Sequence, residues 1–317
     1  MEKTMDIQGK LNAIQANIDK VLVGKREPLE LIMTAILARG HVLVEDVPGI
    51  GKTTLISALA ASLGLSFQRI QFTPDVMPSD ITGFSIYDMK SGEMRYQKGA
   101  VLNNVLLADE INRTSPKTQS SLLEVMQENQ VTVDGQTHKV PTPFVVLATQ
   151  NPVEHVGTFP LPEAQLDRFL IRVTLGYPGI REEIDILSMH DGGDGGVQAL
   201  SAVVSGDDVI AMQKAVDGIT CSDAVKEYIA LLVGQTRTHA DLLLGASPRA
   251  GVALMRAAKA HALLHGSDFV QPDDVQKLVA PVLAHRLVVR PEARLKEMTA
   301  ERILKNITNV TRMPDAL

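Results

Sequence analysis

Residues Val44 to Thr54 read Val-Glu-Asp-Val-Pro-Gly-Ile-Gly-Lys-Thr-Thr, set between a short apolar run, His41 to Val44, and a helix-like run, Leu55 to Leu63. A strand that passes through a glycine loop into Lys-Thr and a helix is the arrangement that cradles a triphosphate. Gly49 and Gly51 let backbone N–H groups turn toward phosphate with no Cβ in the way. Lys52 is expected to reach the β- and γ-phosphates, and the Thr53 hydroxyl to ligate Mg²⁺. The usual phosphate-loop pattern, G-x-x-x-x-G-K-[ST], lacks its first glycine here, because Asp46 stands in its place. The loop therefore has to be weighed with its partners.

The partners follow. Val105-Leu106-Leu107-Ala108-Asp109-Glu110 is an apolar strand ending in two adjacent carboxylates. Asp109 is expected to hold Mg²⁺ through water, and Glu110 to polarise an attacking water, which is general-base work. On its own such a segment reads as a buried strand with a solvated acidic end. Downstream of a phosphate loop it reads as the second half of a nucleotide-hydrolysing site.

The chain has 317 residues, enough for two domains. It is 45% hydrophobic but only 3% aromatic, with no Trp. That suits aliphatic helices on a parallel sheet better than an aromatic-rich β fold. A net charge of −6 argues against phosphate neutralisation along a whole nucleic-acid duplex. One cysteine, Cys221, excludes an intrachain disulfide and a cysteine-based zinc cluster, and is expected to be a small core hydrophobe. Met1 to Asp6 lacks a secretory apolar core, and no run reaches the length of a membrane span, so a soluble, cytoplasmic protein is expected.

Apolar residues recur at helical spacing in Leu11, Ile14, Ile18 and Val21, and again in Leu29, Ile32, Met33, Ile36 and Leu37. Strands are then predicted at His41–Glu45, Gln68–Phe72, Asn104–Asp109, Phe144–Thr149 and Phe169–Leu175, alternating with helices. The alternation argues for a parallel sheet covered by helices. Ser115-Pro116 predicts a capped helix running to about Glu128. Two hairpins interrupt the core. One has Phe84 to Tyr87 and Glu93 to Tyr96 flanking Ser91-Gly92, within Met77 to Ala100; the other turns at Asp134-Gly135, within Val131 to Pro141. Both are surface hairpins that can project toward a partner. His190 to Gly196 reads as a flexible loop. Beyond it the pattern is helical at Val209–Val216, Ser222–Leu232, Ser247–His265 and Pro272–Arg286. The expected division is a nucleotide-binding α/β core over 1–178, a linker over 179–205 and an all-α lid over 206–317.

Five motifs in order carry a family resemblance: Glu-Asp-Val-Pro-Gly-Ile-Gly-Lys-Thr, Leu-Ala-Asp-Glu-Ile-Asn-Arg-Thr, Ala-Thr-Gln-Asn-Pro, Leu-Pro-Glu-Ala-Gln-Leu-Asp-Arg-Phe and Ser-Pro-Arg-Ala. Across nearly its full length the chain resembles a MoxR-type AAA+ ATPase, in which Glu-Asp-Val-Pro-Gly commonly replaces the first glycine. The resemblance implies ATP and Mg²⁺ as cofactors. The phosphate loop would comprise Asp46, Val47, Pro48, Gly49, Ile50, Gly51, Lys52, Thr53 and Thr54, with Val23-Gly24 lining the adenine pocket. It makes Asn151 the first sensor. Arg168 would be the arginine offered to a neighbouring subunit's γ-phosphate, with Arg113 as the alternative. Arg249 would be the second sensor, brought from the small domain onto ATP. Arg249 also has an argument of its own: Ser247 caps a helix, so a cation in its first turn opposes the helix dipole and suggests an anionic ligand.

The resemblance further implies a hexameric ring working with a von Willebrand factor A domain protein on a client complex, in remodelling, maturation or metal insertion. A ring-type nucleic-acid motor is the second reading. It is disfavoured because Lys90, Arg95 and Lys98 on the first hairpin are balanced by Asp80, Asp88 and Glu93, and the second offers only Lys139 and His138. A nucleotide-switched binding module is the third, opposed by the full set Lys52, Asp109, Glu110 and Asn151.

Overall fold

The computed structural model describes residues 7–313 except 47–48, 91, 152–156, 192–196 and 198–199. Val47, Pro48, Ser91, Pro152, the N-terminal six residues and most of the glycine loop at 190–196 lie outside the described residues. Helices α1 (Ile7–Ile18) and α2 (Arg26–Leu37) precede the first strand, β1 (Val42–Glu45). After the phosphate loop come α3 (Lys52–Ser62), β2 (Phe67–Gln71) and a short α4 (Pro78–Thr82). The first hairpin is β3 (Gly83–Asp88) with β4 (Glu93–Lys98), followed by β5 (Val105–Asp109) and α5 (Pro116–Glu128). The second hairpin is β6 (Gln130–Val133) with β7 (Gln136–Lys139). Then come β8 (Val145–Gln150), α6 (Glu163–Leu166), β9 (Ile171–Val173) and α7 (Ile180–Asp191).

Five strands form one sheet in the order β2-β5-β8-β1-β9, and every pair is parallel. All five predicted strands are present, within a few residues of their expected limits. Their side chains alternate between two apolar clusters, as a sheet covered on both faces requires. Leu43, Leu106, Ala108, Val146 and Ala148 face α5. Val42, Val44, Val105, Leu107, Val145 and Leu147 face α1, α2 and α3. Ser115 caps α5 through the Thr118 N–H, and Pro116 is its first residue. Asp134 and Gly135, at φ 49° and 77°, make the tight turn of the second hairpin.

The chain continues as α8 (Gly206–Asp217), α9 (Asp223–Thr238), β10 (Leu242–Leu244), α10 (Pro248–Leu264), α11 (Pro272–Leu283), β11 (Val288–Val289), α12 (Pro291–Arg294) and α13 (Ala300–Val310). This helical lid also carries a two-stranded antiparallel ribbon, β10 with β11, that a helix-only reading does not foresee. The segment expected to be linker contains α7. Cys221 is buried among apolar side chains, as expected.

The lid shares its apolar cluster with α1, α2 and α3, so core and lid are packed as one body on that face. Polar ties reinforce the contact. Arg39 makes a two-pronged ion pair with Asp217, at 2.9 and 2.8 Å. Gln213 donates to the Ile36 carbonyl at 2.7 Å. Arg286, buried, donates to Asp167 and to the Phe169 carbonyl, each at 2.7 Å.

Candidate functional site

In an all-parallel sheet every strand ends at the same edge, and ligands bind in the crevice beyond it. Here the β1 exit is the phosphate loop, the β5 exit is Asp109-Glu110, the β8 exit is Asn151 and the β9 exit is Leu175-Gly176. Residues far apart in sequence meet at this edge because the strand order places β5, β8, β1 and β9 side by side.

Gly49 and Gly51 have φ of 84° and 87°, where a side chain would be strained. A Cβ on Gly49 would meet nothing within 4 Å, so the demand there is conformational and the space above the loop is open. Lys52 opens α3, and its Nζ donates to the Asp46 carbonyl at 3.2 Å. The Asp46 side chain explains the missing glycine. It is buried and accepts N–H groups from Leu175 at 2.5 Å and Gly176 at 2.8 Å. Lys25, also buried, donates to the carbonyls of the same two residues at 3.0 and 2.8 Å. Asp46 therefore frames the loop against the β9 exit. Its carboxylate oxygen Oδ2 points to that backbone.

Beside the loop lies a cavity of about 540 Å³ lined by Leu22, Val23, Gly51, Thr54, Tyr177 and Leu187, among others. Val23 thus lines the cavity beside the phosphate loop. Gly24 stands at φ 76°, where any side chain would be strained, with the movable Glu182 carboxylate over the position of a Cβ. Helix α7 forms one wall, a role that sequence reading misses. Its signal is present in Ile180, Ile184 and Leu187 at helical spacing behind Glu182 and Glu183 in the first turn.

Around the carboxylates the contacts are dense. Thr149, fully buried on β8, donates to Asp109 Oδ1 at 2.6 Å and accepts the Glu110 N–H at 2.9 Å. Arg69 on β2 reaches Asp109 Oδ2 at 2.7 and 3.2 Å. Gln71 donates to Glu110 Oε2 at 2.8 Å, and Arg113 Nε lies 3.0 Å from the same oxygen. Glu110 itself stands in the left-handed region, at φ 58°, which turns its side chain away from the strand direction. Thr149, Arg69 and Gln71 were not anticipated. Register makes them neighbours: Gln71 pairs with Asp109 across β2 and β5.

Arg168 and Arg249 are placed elsewhere. Leu170 donates to the His41 carbonyl, so Arg168 lies beyond the start of β9, at the end of the sheet opposite the phosphate loop. Four residues of β1 separate the two ends, roughly 13 Å at the usual strand rise. The Arg168 guanidinium lies on α5, donating to the Leu123 carbonyl at 3.3 Å and to Gln127. Arg249 is 79% exposed and its nearest carboxylate is Asp167, at 3.8 Å. The structure thus brings Arg249 to Asp167, the residue before Arg168, and not onto the phosphate loop of its own chain. Arg249 is expected to be carried from the small domain onto ATP; in this arrangement it stands away from the phosphate loop of its own chain.

Residues 41–171 match the ATPase family associated with various cellular activities (AAA), and residues 234–307 match the AAA lid domain. The Bacillus subtilis (strain 168) protein YeaC is 50% identical over 309 residues, covering 98% of this chain and 96% of its own. Chaperone MoxR1 of Mycobacterium tuberculosis (strain ATCC 25618 / H37Rv) is 40% identical over 308 residues, covering 94% of this chain and 80% of its own. The crystal structure of a candidate ATPase from Cytophaga hutchinsonii superposes with a TM-score of 0.92 at 37% identity, over 98% of this chain and 96% of that one. With two AAA modules in the expected order and relatives of this similarity over nearly the whole length, the chain belongs to the MoxR family of AAA+ ATPases.

Proposed function

We propose that this AAA+ ATPase hydrolyses ATP with Mg²⁺ in a homo-oligomeric ring and uses the cycle to remodel a client protein complex. The observation that carries the reading is the convergence of Gly49, Gly51, Lys52, Thr53, Asp109, Glu110 and Asn151 on one edge of the sheet, beside a cavity sized for a nucleotide base. The fit to nucleotide is direct. Left-handed Gly49 leaves open space for a phosphate, and the apolar side chains of Val23 and Leu187 offer a base-binding surface. Lys52 would place its ammonium on the β- and γ-phosphates, and Thr53 with Asp109 would hold Mg²⁺. When bound, Mg²⁺ supplies charge neutralisation on the phosphate oxygens. Glu110 would orient and deprotonate the attacking water, and Asn151 would fix its position. Arg168, with Arg249 against the preceding Asp167, would act on the nucleotide of a neighbouring subunit, because both stand at the end of the sheet remote from their own loop. Arg113 is bonded to its own chain's Glu110, which favours Arg168 as the residue given to the neighbour.

The chaperone name of the Mycobacterium relative supports protein remodelling. Six subunits, a von Willebrand factor A domain partner and a cytoplasmic site follow the family resemblance. Among the described residues no helix is long and apolar enough to cross a membrane. Purified protein should hydrolyse ATP. Lys52→Ala should lose nucleotide affinity, whereas Glu110→Gln should keep ATP bound and stop turnover. A Glu110→Gln variant as active as wild type would overturn the base assignment.

A further inference from the structure

We propose that Glu30, His261 and His265 form a binding site for a divalent transition-metal ion of the zinc class, which would clamp α2 to α10 of the lid. His261 and His265 are four residues apart on α10 and so share one face of the helix. Both turn their Nε2 atoms to the same oxygen, Glu30 Oε1, at 3.0 and 2.9 Å. The three ligand atoms all lie within 4.8 Å of one another. Ligand atoms of a tetrahedral zinc site are about 3.3 Å apart, from bonds of about 2.05 Å. A spread of a few tenths of an ångström would therefore admit the ion.

The surroundings are those of a built site. His261 is buried, and its second nitrogen, Nδ1, lies 2.6 Å from Asp274 Oδ1. A carboxylate behind a histidine fixes the tautomer with hydrogen on Nδ1 and leaves the Nε2 lone pair for a metal. Asp274 is itself fixed, because it accepts the Gln271 N–H at 2.7 Å where it caps α11. With His261 in that tautomer, a lone pair on Nε2 faces a carboxylate oxygen at 3.0 Å. That contact needs a positive charge between the two atoms. A proton on each histidine or a single metal ion can supply it.

Charge and access favour the metal. Glu30 and Asp274 together offset the charge of one divalent ion, so the loaded site is neutral. A groove of about 230 Å³, bordered by Gln8, Gln15, Glu30 and His265, leads from solvent to the ligands. It gives the ion an entry path and room for a water as the fourth ligand. The one arginine on the groove, Arg26, is paired with Asp19 at 3.3 Å. A metal here would tie the helix that precedes β1 to the lid without touching the nucleotide site.

The test uses the full chain, stripped of metal by a chelator and held at about pH 7.5, where ordinary histidines are neutral. Zn²⁺ retention after dialysis is measured by elemental analysis, and Co²⁺ is added as a visible probe of coordination. The expected result is one ion per chain, intense tetrahedral cobalt absorption, and a melting temperature raised by several degrees. His265→Ala and Glu30→Gln, both at partly exposed positions, should lose the cobalt bands and the thermal shift while folding normally. His261→Ala is avoided as the sole variant because its ring is buried. Absence of a retained ion in wild type, or equal retention and spectra in both variants, would overturn the site and leave the cluster as a proton-bridged ion pair.

Discussion

Glu110 has two donors on one carboxylate oxygen, Gln71 and Arg113, and a backbone in the left-handed region. An oxygen so occupied is not free to take a proton from water, so release of Glu110 is expected to govern turnover. A hydrogen bond to a charged group contributes about 1.5–3 kcal/mol. Gln71→Ala should therefore raise basal phosphate release, by roughly tenfold where the tie limits the rate. An unchanged rate would show that the tie is not limiting. His41 offers a pH test. Its Nδ1 accepts the Val146 N–H and its Nε2 donates to the Met126 carbonyl, both at 3.0 Å, so the neutral ring is built into the fold. Burial lowers its pKa from 6.5 to about 4. The stability it contributes is complete above pH 6.5 and is lost as pH falls toward 4, a change of about 2 kcal/mol between pH 7 and pH 5. His261 works in the opposite sense. Burial pulls its pKa down, but its bonds to Asp274 and Glu30 outweigh that and raise it. Histidine ring resonances separate the two: His41 should stay neutral at about pH 5.5, where an ordinary histidine is mostly protonated. A His41 titration near 6.5 would contradict the buried assignment. Residues singled out from the sequence and brought to one edge of the sheet, such as Lys52 and Glu110, belong to motifs contiguous in the chain. Arg69, Gln71 and Thr149 were illegible because their roles depend on β2, β5 and β8 being neighbours in the sheet. Asp46, which the family resemblance already allowed in place of the first glycine, has its physical reason in the chain of β9 brought against it.

Among the elements, those with a strong local signal were readable. Helix α5 begins and ends where Ser115-Pro116 and the apolar spacing place it, and both hairpins turn at their glycines. Helix α7 carried a helical signal that was passed over, and its apolar residues stay exposed on the single chain: Ile180 is 80% and Leu187 68% accessible. The ribbon of β10 with β11 joins segments 44 residues apart, beyond any local pattern. The first hairpin stands out from the core. Tyr87, Met89 and Met94 are exposed near its tip, with Met89 90% accessible. Its base is firmly tied: Tyr96 donates to the Thr82 carbonyl and stacks on His138 of the second hairpin, with ring centroids 3.9 Å apart. The tip is thus an exposed element on a rigid foot, suited to contacting a client. Replacing residues 87–94 with a short Gly-Ser turn should leave the melting temperature within a few degrees of wild type, because few buried contacts are removed. Basal ATP hydrolysis should persist. A collapse of thermal stability on this replacement would show that the tip is structural.

At the scale of the whole molecule, the proposed function assigns the two ends of the parallel sheet to complementary halves of an active site. One edge holds Lys52, Thr53, Asp109 and Glu110; the other holds Arg168, with Arg249 against the preceding Asp167. A single chain cannot bring them together without breaking β9 from β1, which are paired over Val42–Val44. A second chain can, if its loop edge docks on the arginine end of the first, and repetition of that head-to-tail contact closes into a ring. In the isolated chain Arg168 lies along α5, with its Nε buried and without a hydrogen-bond partner, so its present seat is incompletely satisfied and a phosphate would compete well for it. Arginine fingers contribute on the order of 10³–10⁵ in turnover in other phosphoryl-transfer systems. Arg168→Ala should therefore bind ATP almost normally and hydrolyse it poorly. Lys52→Ala should fail for the opposite reason, with an intact arginine and a disabled loop. Mixing the two inactive proteins is the decisive measurement. Interfaces at which an intact Lys52 loop meets an intact Arg168 should regain activity, rising with the fraction of mixed rings. No recovery in mixtures shown by light scattering and tag exchange to co-assemble would count against a role across the interface and transfer the assignment to Arg113.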